Sequence, residues 1–363
     1  MLTAFLVIAI LVLLIVAHEL GHFTAAKIFG VRVEEFGVGY PPRAFRFGKI
    51  GDTEYTLNWI PFGGFVRLFG DEGQMVHGRG SFMDAPRWKQ AVVLVAGVTA
   101  NVIVAWVLFA IALHLGVPKA VDTALPDQPV QLIVSDIVSG SPADAAGIKP
   151  GDEVVGVRDA KGDTVGVLIS QNVVDFVRAR GGKPVTLSYI HEGVNLDATI
   201  TPANAVLPNA AGQPALGVAL VLVATEQVPW GTAFRQAFPA TRNAFKTVAH
   251  DLWVLLKGIV QGAPNLAAVV GPVGIVSYVG AASQNGLGAV LMFAALISIN
   301  LAIINLIPIP ALDGGRLFVL AIEAVMRRAA PRLAIQALNA FGVAVIVLLM
   351  VVVTYNDVAR LLV

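Results

Sequence analysis

No cysteine occurs in the 363-residue chain, which excludes disulfide staples, thiolate metal ligands and a cysteine nucleophile together. Charge is scarce as well. Asp, Glu, Lys and Arg make up 13% of the residues against 56% hydrophobic, and the mean hydropathy of +0.75 is that of a membrane protein rather than a soluble domain. The 25 basic and 24 acidic residues nearly cancel to a formal net charge of +1, so no basic field calls for nucleic acid or acidic substrates. No internal repeat is visible, which disfavours a transporter built from inverted halves.

Present in quantity are long apolar runs. A hydrocarbon core about 30 Å thick takes roughly 20 helical residues to cross. Four stretches meet that length, near 2–26, 91–115, 287–310 and 334–355. The first, Leu2 to Ala17 and onward, lacks a basic leader and an Ala-x-Ala exit, and is expected to be a retained span. Basic residues stay on the cytoplasmic side. Lys27, Arg32, Arg43, Arg46, Lys49, Arg67, Arg79, Arg87 and Lys89 separate the first two runs, and Arg316, Arg327, Arg328 and Arg332 the last two. Both connections are therefore expected in the cytoplasm, with both termini and the long 116–286 region outside.

Between the first two runs, Val31–Gly70 is interrupted by charges and by Pro41-Pro42 and Gly63-Gly64, and alternates as Thr53-Glu54-Tyr55-Thr56-Leu57 after a Gly51-Asp52 turn. That pattern predicts β-hairpins, against the blander reading of an ordinary loop. Residues 125–205 turn soluble in composition and contain Ser141-Pro142-Ala143-Asp144 through Lys149-Pro150-Gly151-Asp152-Glu153-Val154-Val155-Gly156-Val157. A short helix, a Gly-Asp turn and an apolar strand in that order resemble the PDZ signature of bacterial proteases. Such domains capture an extended segment or a C-terminus by strand addition. Farther on, Phe234, Phe238, Phe245, Val248, Leu252, Leu255 and Ile259 recur at helical spacing among Arg235, Arg242 and Lys246. This predicts an amphipathic helix on the membrane surface, kinked or ended by Pro239 and Pro264.

The chemistry concentrates in His18-Glu19-Leu20-Gly21-His22, inside the first apolar run. Residues four apart share a helix face, so both imidazoles can reach one ion while Glu19 leans toward its water. Each ionisable residue at membrane depth costs about 2.5–3.5 kcal/mol on insertion scales, which argues against three such residues in five positions as passive structure. A catalytic zinc takes three protein ligands and leaves one position open, so another ligand must come from elsewhere. Asp313, in Leu312-Asp313-Gly314-Gly315 at the inner end of the third run, is the best candidate. Its alternative role is a capping or interface aspartate beside Arg316. His77, His114, His191 and His250 lack partners at ligand spacing. Asn305 is near enough to Asp313 in sequence to donate to an oxyanion or to a substrate strand, and Asn101 in the second run reads as a polar contact between helices.

With His18-Glu19-Leu20-Gly21-His22, Asn305 through Gly314, Gly271-Pro272-Val273-Gly274-Ile275 and the PDZ signature, the chain resembles a bacterial site-2 protease, an intramembrane zinc metalloprotease of the regulator-of-sigma-E protease type. Many relatives carry Gly-Pro-x-x-Asn in the second span where this chain has Gly97-Val98-Thr99-Ala100-Asn101, and some have two PDZ signatures where one is visible here. The resemblance implies that His18, His22 and Asp313 bind Zn2+, that Glu19 is the general base, and that Asn305 helps hold the substrate. It also implies that Val31–Gly70 dips into the membrane to clamp an unwound substrate helix. The expected fold is a polytopic α-helical membrane protein with four transmembrane helices, a membrane-associated β-hairpin region and an inserted extracytoplasmic PDZ domain that is β-rich, α+β. Its expected parts are a first span at 1–26, a cytoplasmic-side hairpin region at 27–90, a second span at 91–115 and a PDZ domain at 116–206. An amphipathic helix and linker follow at 207–286, then a third span with the Leu-Asp-Gly element at 287–315 and a cytoplasmic turn and last span at 316–363. The location implied is the bacterial plasma (inner) membrane, with the active site towards the cytoplasm. Expected partners are the lipid bilayer, single-span membrane proteins such as anti-sigma factors or signal-peptide remnants, and a PDZ ligand peptide or substrate ectodomain, with no nucleic acid. Two other classes compete: a non-catalytic membrane PDZ scaffold with a vestigial metal site, and a metal-handling transporter.

Overall fold

The computed structural model describes residues 2–71, 76–121, 130–191, 193–204, 212–262, 270–328 and 330–361. Contacts divide the chain into two units, residues 116–227 and the remainder. In the larger unit four helices are long and apolar enough to cross a membrane: α1 (Leu2–Ile28), α2 (Arg87–Leu115), α7 (Leu287–Leu306) and α9 (Arg332–Leu361). In lipid every backbone polar group must pair inside its own segment, which is why these runs are helical throughout. The half of the bundle nearer the start of α1 is held by a cluster that includes Val7, Ile10 and Leu14 of α1, Leu108 and Phe109 of α2, and Val290, Ala294 and Ile299 of α7. A second cluster joins Ala25 and Ala26 of α1 to Val93 and Leu94 of α2, with Val31, Val33, Leu68 and Phe82 around them and Leu320 closing it. Helices approach closely where side chains are small. A Cβ on Gly21 would lie 2.8 Å from the Cβ of Ala100, so α1 rests directly on α2 there.

After α1 the chain forms β1 (Val33–Ile50) and β2 (Thr53–Leu68), turned at Gly51-Asp52 as the alternation predicts. Each strand doubles back. Val38 pairs with Leu57 on one side and with Gly64 on the other, and Phe45 also pairs with Leu57. The sheet is thus four segments wide, in the order 43–50, 53–58, 33–38, 64–68, and its 64–68 edge lies along α1. Glu35, 4% exposed, ties the segments together by accepting from Thr56 Oγ1 at 2.8 Å, Arg67 at 3.0 Å and Arg43 at 3.2 Å. A buried carboxylate is tolerated only when paired in this way.

The third span ends at Leu306, short of 310, because Pro308 and Pro310 lack the N–H groups that would continue it. Residues 307–312 form a loop, and Asp313 opens a new helix, α8 (Asp313–Met326), where a cytoplasmic turn was expected. The glycine pair makes this possible: a Cβ on Gly315 would stand 2.7 Å from the carbonyl carbon of Ile309. Helix α5 (Trp230–Val260) runs through Pro239 without ending there, and Pro264 lies outside the described residues. It is not a free surface helix. Phe234, Phe245, Val248 and Leu252 pack on the bundle core, Trp106 Nε1 donates to the Phe234 carbonyl at 3.1 Å, and Phe238 and Ile259 remain exposed. Helix α6 (Pro272–Gln284) begins with Gly271 as cap and Pro272 in its first turn. The Gly271 and Gly274 N–H groups donate to Asp357 of α9, at 3.2 and 2.8 Å, so a carboxylate from another helix satisfies this N-terminus.

The smaller unit is a six-stranded antiparallel sheet of β3 (Val117–Val121), β4 (Val130–Ile137), β5 (Glu153–Asp159), β6 (Val185–His191), β7 (Val194–Ile200) and β8 (Val218–Glu226). Its spatial order is β3-β8-β4-β5-β6-β7. Two helices, α3 (Pro142–Ala145) and α4 (Ser170–Arg178), complete it, with a core that includes Leu132, Val134, Val157, Val173 and Leu187. The short helix, the Gly151-Asp152 turn and the following strand appear as the signature predicts, although 122–129, 192 and 205–206 of the expected range are outside the described residues. Ser141 caps α3 by accepting from the Asp144 N–H. The unit extends past 206 to Gln227, because β8 pairs with β4 from Val130↔Ala224 to Ile137↔Val218 and supplies Leu222 to the core. Residues 212–227, expected within the helix and linker at 207–286, therefore belong to this unit.

Candidate metal and catalytic site

His18 and His22 lie one turn apart on α1, both 8% exposed, and face α2 and the start of α8. His18 Nε2 is 2.9 Å from Asp313 Oδ2, His22 Nε2 is 3.1 Å from the same oxygen, and the two Nε2 atoms are 3.1 Å apart. Two imidazole nitrogens and a carboxylate oxygen crowded to this degree repel one another unless protons or a cation lie among them. A tetrahedral zinc with bonds of about 2.0–2.1 Å would separate its ligand atoms by roughly 3.3 Å, close to this triangle. Among the described residues this is the one group of three such side chains within metal reach, and its donor set of two neutral imidazoles and a carboxylate suits zinc.

Three elements set this geometry. The loop at 307–312 swings Asp313 back toward α1, and the ion pair of Arg316 with Asp71 tethers the first turn of α8 to the segment after β2. Helix α2 forms the floor. His22 Nδ1 lies 2.8 Å from the Val93 carbonyl, which can only accept, so the ring hydrogen sits on Nδ1 and the Nε2 lone pair faces the site. Gly97 sits one turn farther along. A Cβ there would stand 2.7 Å from Cε1 of both histidines and closer still to His22 Nε2, so no side chain fits beneath the rings. One more turn on, Asn101 is fully buried, with Nδ2 3.3 Å from His18 Nδ1.

Glu19, the next residue after His18 on α1, lies beside the cluster and against the 64–68 edge. A Cβ built on Gly64 would be 3.2 Å from Glu19 Cγ, and the backbone of Val66 faces the carboxylate. The base candidate therefore lies between the histidine pair and a strand edge. Asn305, half-buried in the last turn of α7, makes none of the hydrogen bonds that join His18, His22 and Asp313. His77 and His191 pair with Asp84 and Asp152 at 2.7 and 2.6 Å, and His114 stacks on Trp230, so none of these contacts involves His18, His22 or Asp313. Sequence reasoning named His18, Glu19, His22 and Asp313 but missed Val93 and Gly97 and read Asn101 as helix contact alone. Their spacing of four along α2 was the available signal.

The profile of peptidase family M50 matches residues 6–349. A putative zinc metalloprotease of Clostridium perfringens is 34% identical over 349 residues, covering 95% of each chain. The zinc metalloprotease RasP of Geobacillus kaustophilus is 28% identical, covering 96% of this chain and 95% of that one. A solved PDZ domain of an SdrC-like protein from Listeria innocua aligns at 23% identity over 25% of this chain and 92% of that one, with a TM-score of 0.21.

Proposed function

The chain belongs to peptidase family M50, and from that premise we propose that it is a zinc-dependent intramembrane endopeptidase that cleaves the transmembrane segments of single-span membrane proteins. The observation that carries the proposal is the meeting of His18, His22 and Asp313 within a bundle of membrane-length helices, with Glu19 on the adjacent face. In this reading His18, His22 and Asp313 hold the zinc. When bound, the metal supplies Lewis acidity that brings the pKa of a coordinated water toward about 7. Glu19 takes the proton from the attacking water and returns it to the leaving amine. Asp313, as a carboxylate, offsets part of the ion's charge, and the surrounding apolar helices keep bulk water from the reacting peptide.

A substrate helix hides its carbonyls in its own hydrogen bonds, so it must unwind before attack. Among the described residues the 64–68 edge pairs only with 33–38, and its other side lies along Glu19. A substrate strand added there would regain backbone hydrogen bonds at the point where its carbonyl meets the base. Asn305 then serves as a donor to that strand. The basic residues between the spans support a site toward the cytoplasm, with the sheet-rich unit and both termini outside. That unit would exclude or sense bulky substrate ectodomains.

The test is cleavage of a single-span reporter by the full chain in liposomes. Glu19→Gln is expected to retain zinc and lose cleavage by about 100-fold or more, the lower range for a general base. His22→Phe is expected to lose both. Equal, undiminished cleavage by wild type and Glu19→Gln would remove Glu19 as the base, and no cleavage by wild type would return the chain to the scaffold reading.

A further inference from the structure

Both zinc-ligand candidates on α1 turn their second ring nitrogen toward the same stripe of α2, but toward groups of different kind. His22 Nδ1 meets the Val93 carbonyl, an acceptor, at 2.8 Å. His18 Nδ1 meets the Asn101 amide at 3.3 Å, with Nδ2 the nearer end. The Asn101 side chain is fully buried, and its Oδ1 has no hydrogen-bond partner among the described residues. The carbonyl of the same residue accepts from Ser298 Oγ at 2.8 Å, fixing this turn of α2 to α7.

A neutral imidazole has one hydrogen and one lone pair. For His18 to offer its Nε2 lone pair to an ion, its hydrogen must sit on Nδ1, and a buried N–H needs an acceptor. The amide group of Asn101 is the group in reach, and only its oxygen can accept. The two ends of an amide are nearly equal in shape, so turning it over brings the idle Oδ1 onto Nδ1 without moving other atoms. We infer that Asn101 is a positioning residue of the metal site, with Oδ1 accepting from His18 Nδ1–H and so selecting the tautomer whose Nε2 lone pair faces Asp313 and His22. Val93, Gly97 and Asn101, four residues apart, then form one cradle: an acceptor for each imidazole and a bare backbone between them. This rests on the zinc reading proposed above and goes beyond it by giving the second span a chemical task.

The experiment uses the full chain in detergent, with zinc affinity measured by chelator competition. Asn101→Leu removes the acceptor and keeps the bulk, and is expected to weaken zinc about 10–100-fold, the usual effect of losing such a partner. Asn101→Asp, which can only accept, is expected to recover most of that affinity. In wild-type chain labelled with 15N-histidine and loaded with zinc, the His18 signals are expected to show hydrogen on Nδ1 and none on Nε2, a readout that needs no variant to fold. Unchanged affinity in Asn101→Leu, an equal loss in Asn101→Asp, or hydrogen on Nε2 would each overturn the assignment while leaving a zinc-binding wild type intact. A wild type that binds no zinc would overturn the protease proposal itself.

Discussion

Helices α2 and α9 are nearly the same object by hydropathy. Their most apolar windows average 2.5 and 2.6, and both segments are long enough to span a membrane. Yet 44% of that window is buried in α2 and 11% in α9. Apolar side chains cannot tell the two apart, because lipid receives them as readily as protein does. The polar and small residues do. Gly97 and Asn101 sit where α2 meets the histidines, whereas α9 is anchored at separate points. Asp357 caps α6 near one end of α9, and near the other Asn339 accepts from the Ala311 N–H while Gly342 rests on the Pro310 backbone. A helix that builds the site is marked by what breaks its apolar pattern, and so are the attachment points of a helix that does not.

The sharpest way to break this comparison is Gly97→Ala. The added methyl has no room beneath the imidazoles, so zinc and cleavage should fall together, by roughly 10–100-fold, while far-ultraviolet circular dichroism stays unchanged. Zinc retained at full stoichiometry in that variant would mean the floor of the site is not where α2 places it. A smaller contrast is expected in packing. Phe109→Ala, at a residue 4% exposed, should cost about 1–3 kcal/mol of stability through the cavity it leaves, whereas Leu348→Ala, at a residue 64% exposed on α9, should stay within about 0.5 kcal/mol. Reversible unfolding in mixed micelles can compare them, and equal losses would mean that α9 is packed as tightly as α2. Smallest is Asp357→Ala, which strips the cap from α6 and should cost about 1 kcal/mol, with Asp357→Asn restoring part of it through its remaining acceptor. Identical unfolding of Asp357→Ala and wild type would remove the polar anchor from the account.

The four spans were legible because their length and apolarity have no soluble explanation, and His18, Glu19 and His22 because four-residue spacing fixes a shared helix face. Asp313 was legible as a candidate ligand through its depth, but its element was not. Pro308 and Pro310 announce a break without saying that a new helix begins three residues after the second proline. Val93 could not be found by residue type, since it contributes a carbonyl, and Gly97 contributes the absence of a side chain. β8 was missed for a different reason. Val218–Glu226 lies between β3 and β4 in a sheet where its β4 partner comes nearly ninety residues earlier, as in Ile133↔Val221, and nothing local distinguishes such a strand from linker. The fold-back of β1 and β2 into four segments is likewise a matter of long-range register, beyond the single Gly51-Asp52 turn that the alternation reveals.

The proposed chemistry requires one zinc held jointly by α1 and the first residue of α8. Its most direct test is zinc stoichiometry, by elemental analysis, in purified wild type, Glu19→Gln and Asp313→Ala chains. One zinc per chain is expected in the first two and almost none in the third, since two imidazoles alone leave the site a ligand short. A full equivalent in Asp313→Ala that an excess of chelator cannot strip would contradict it.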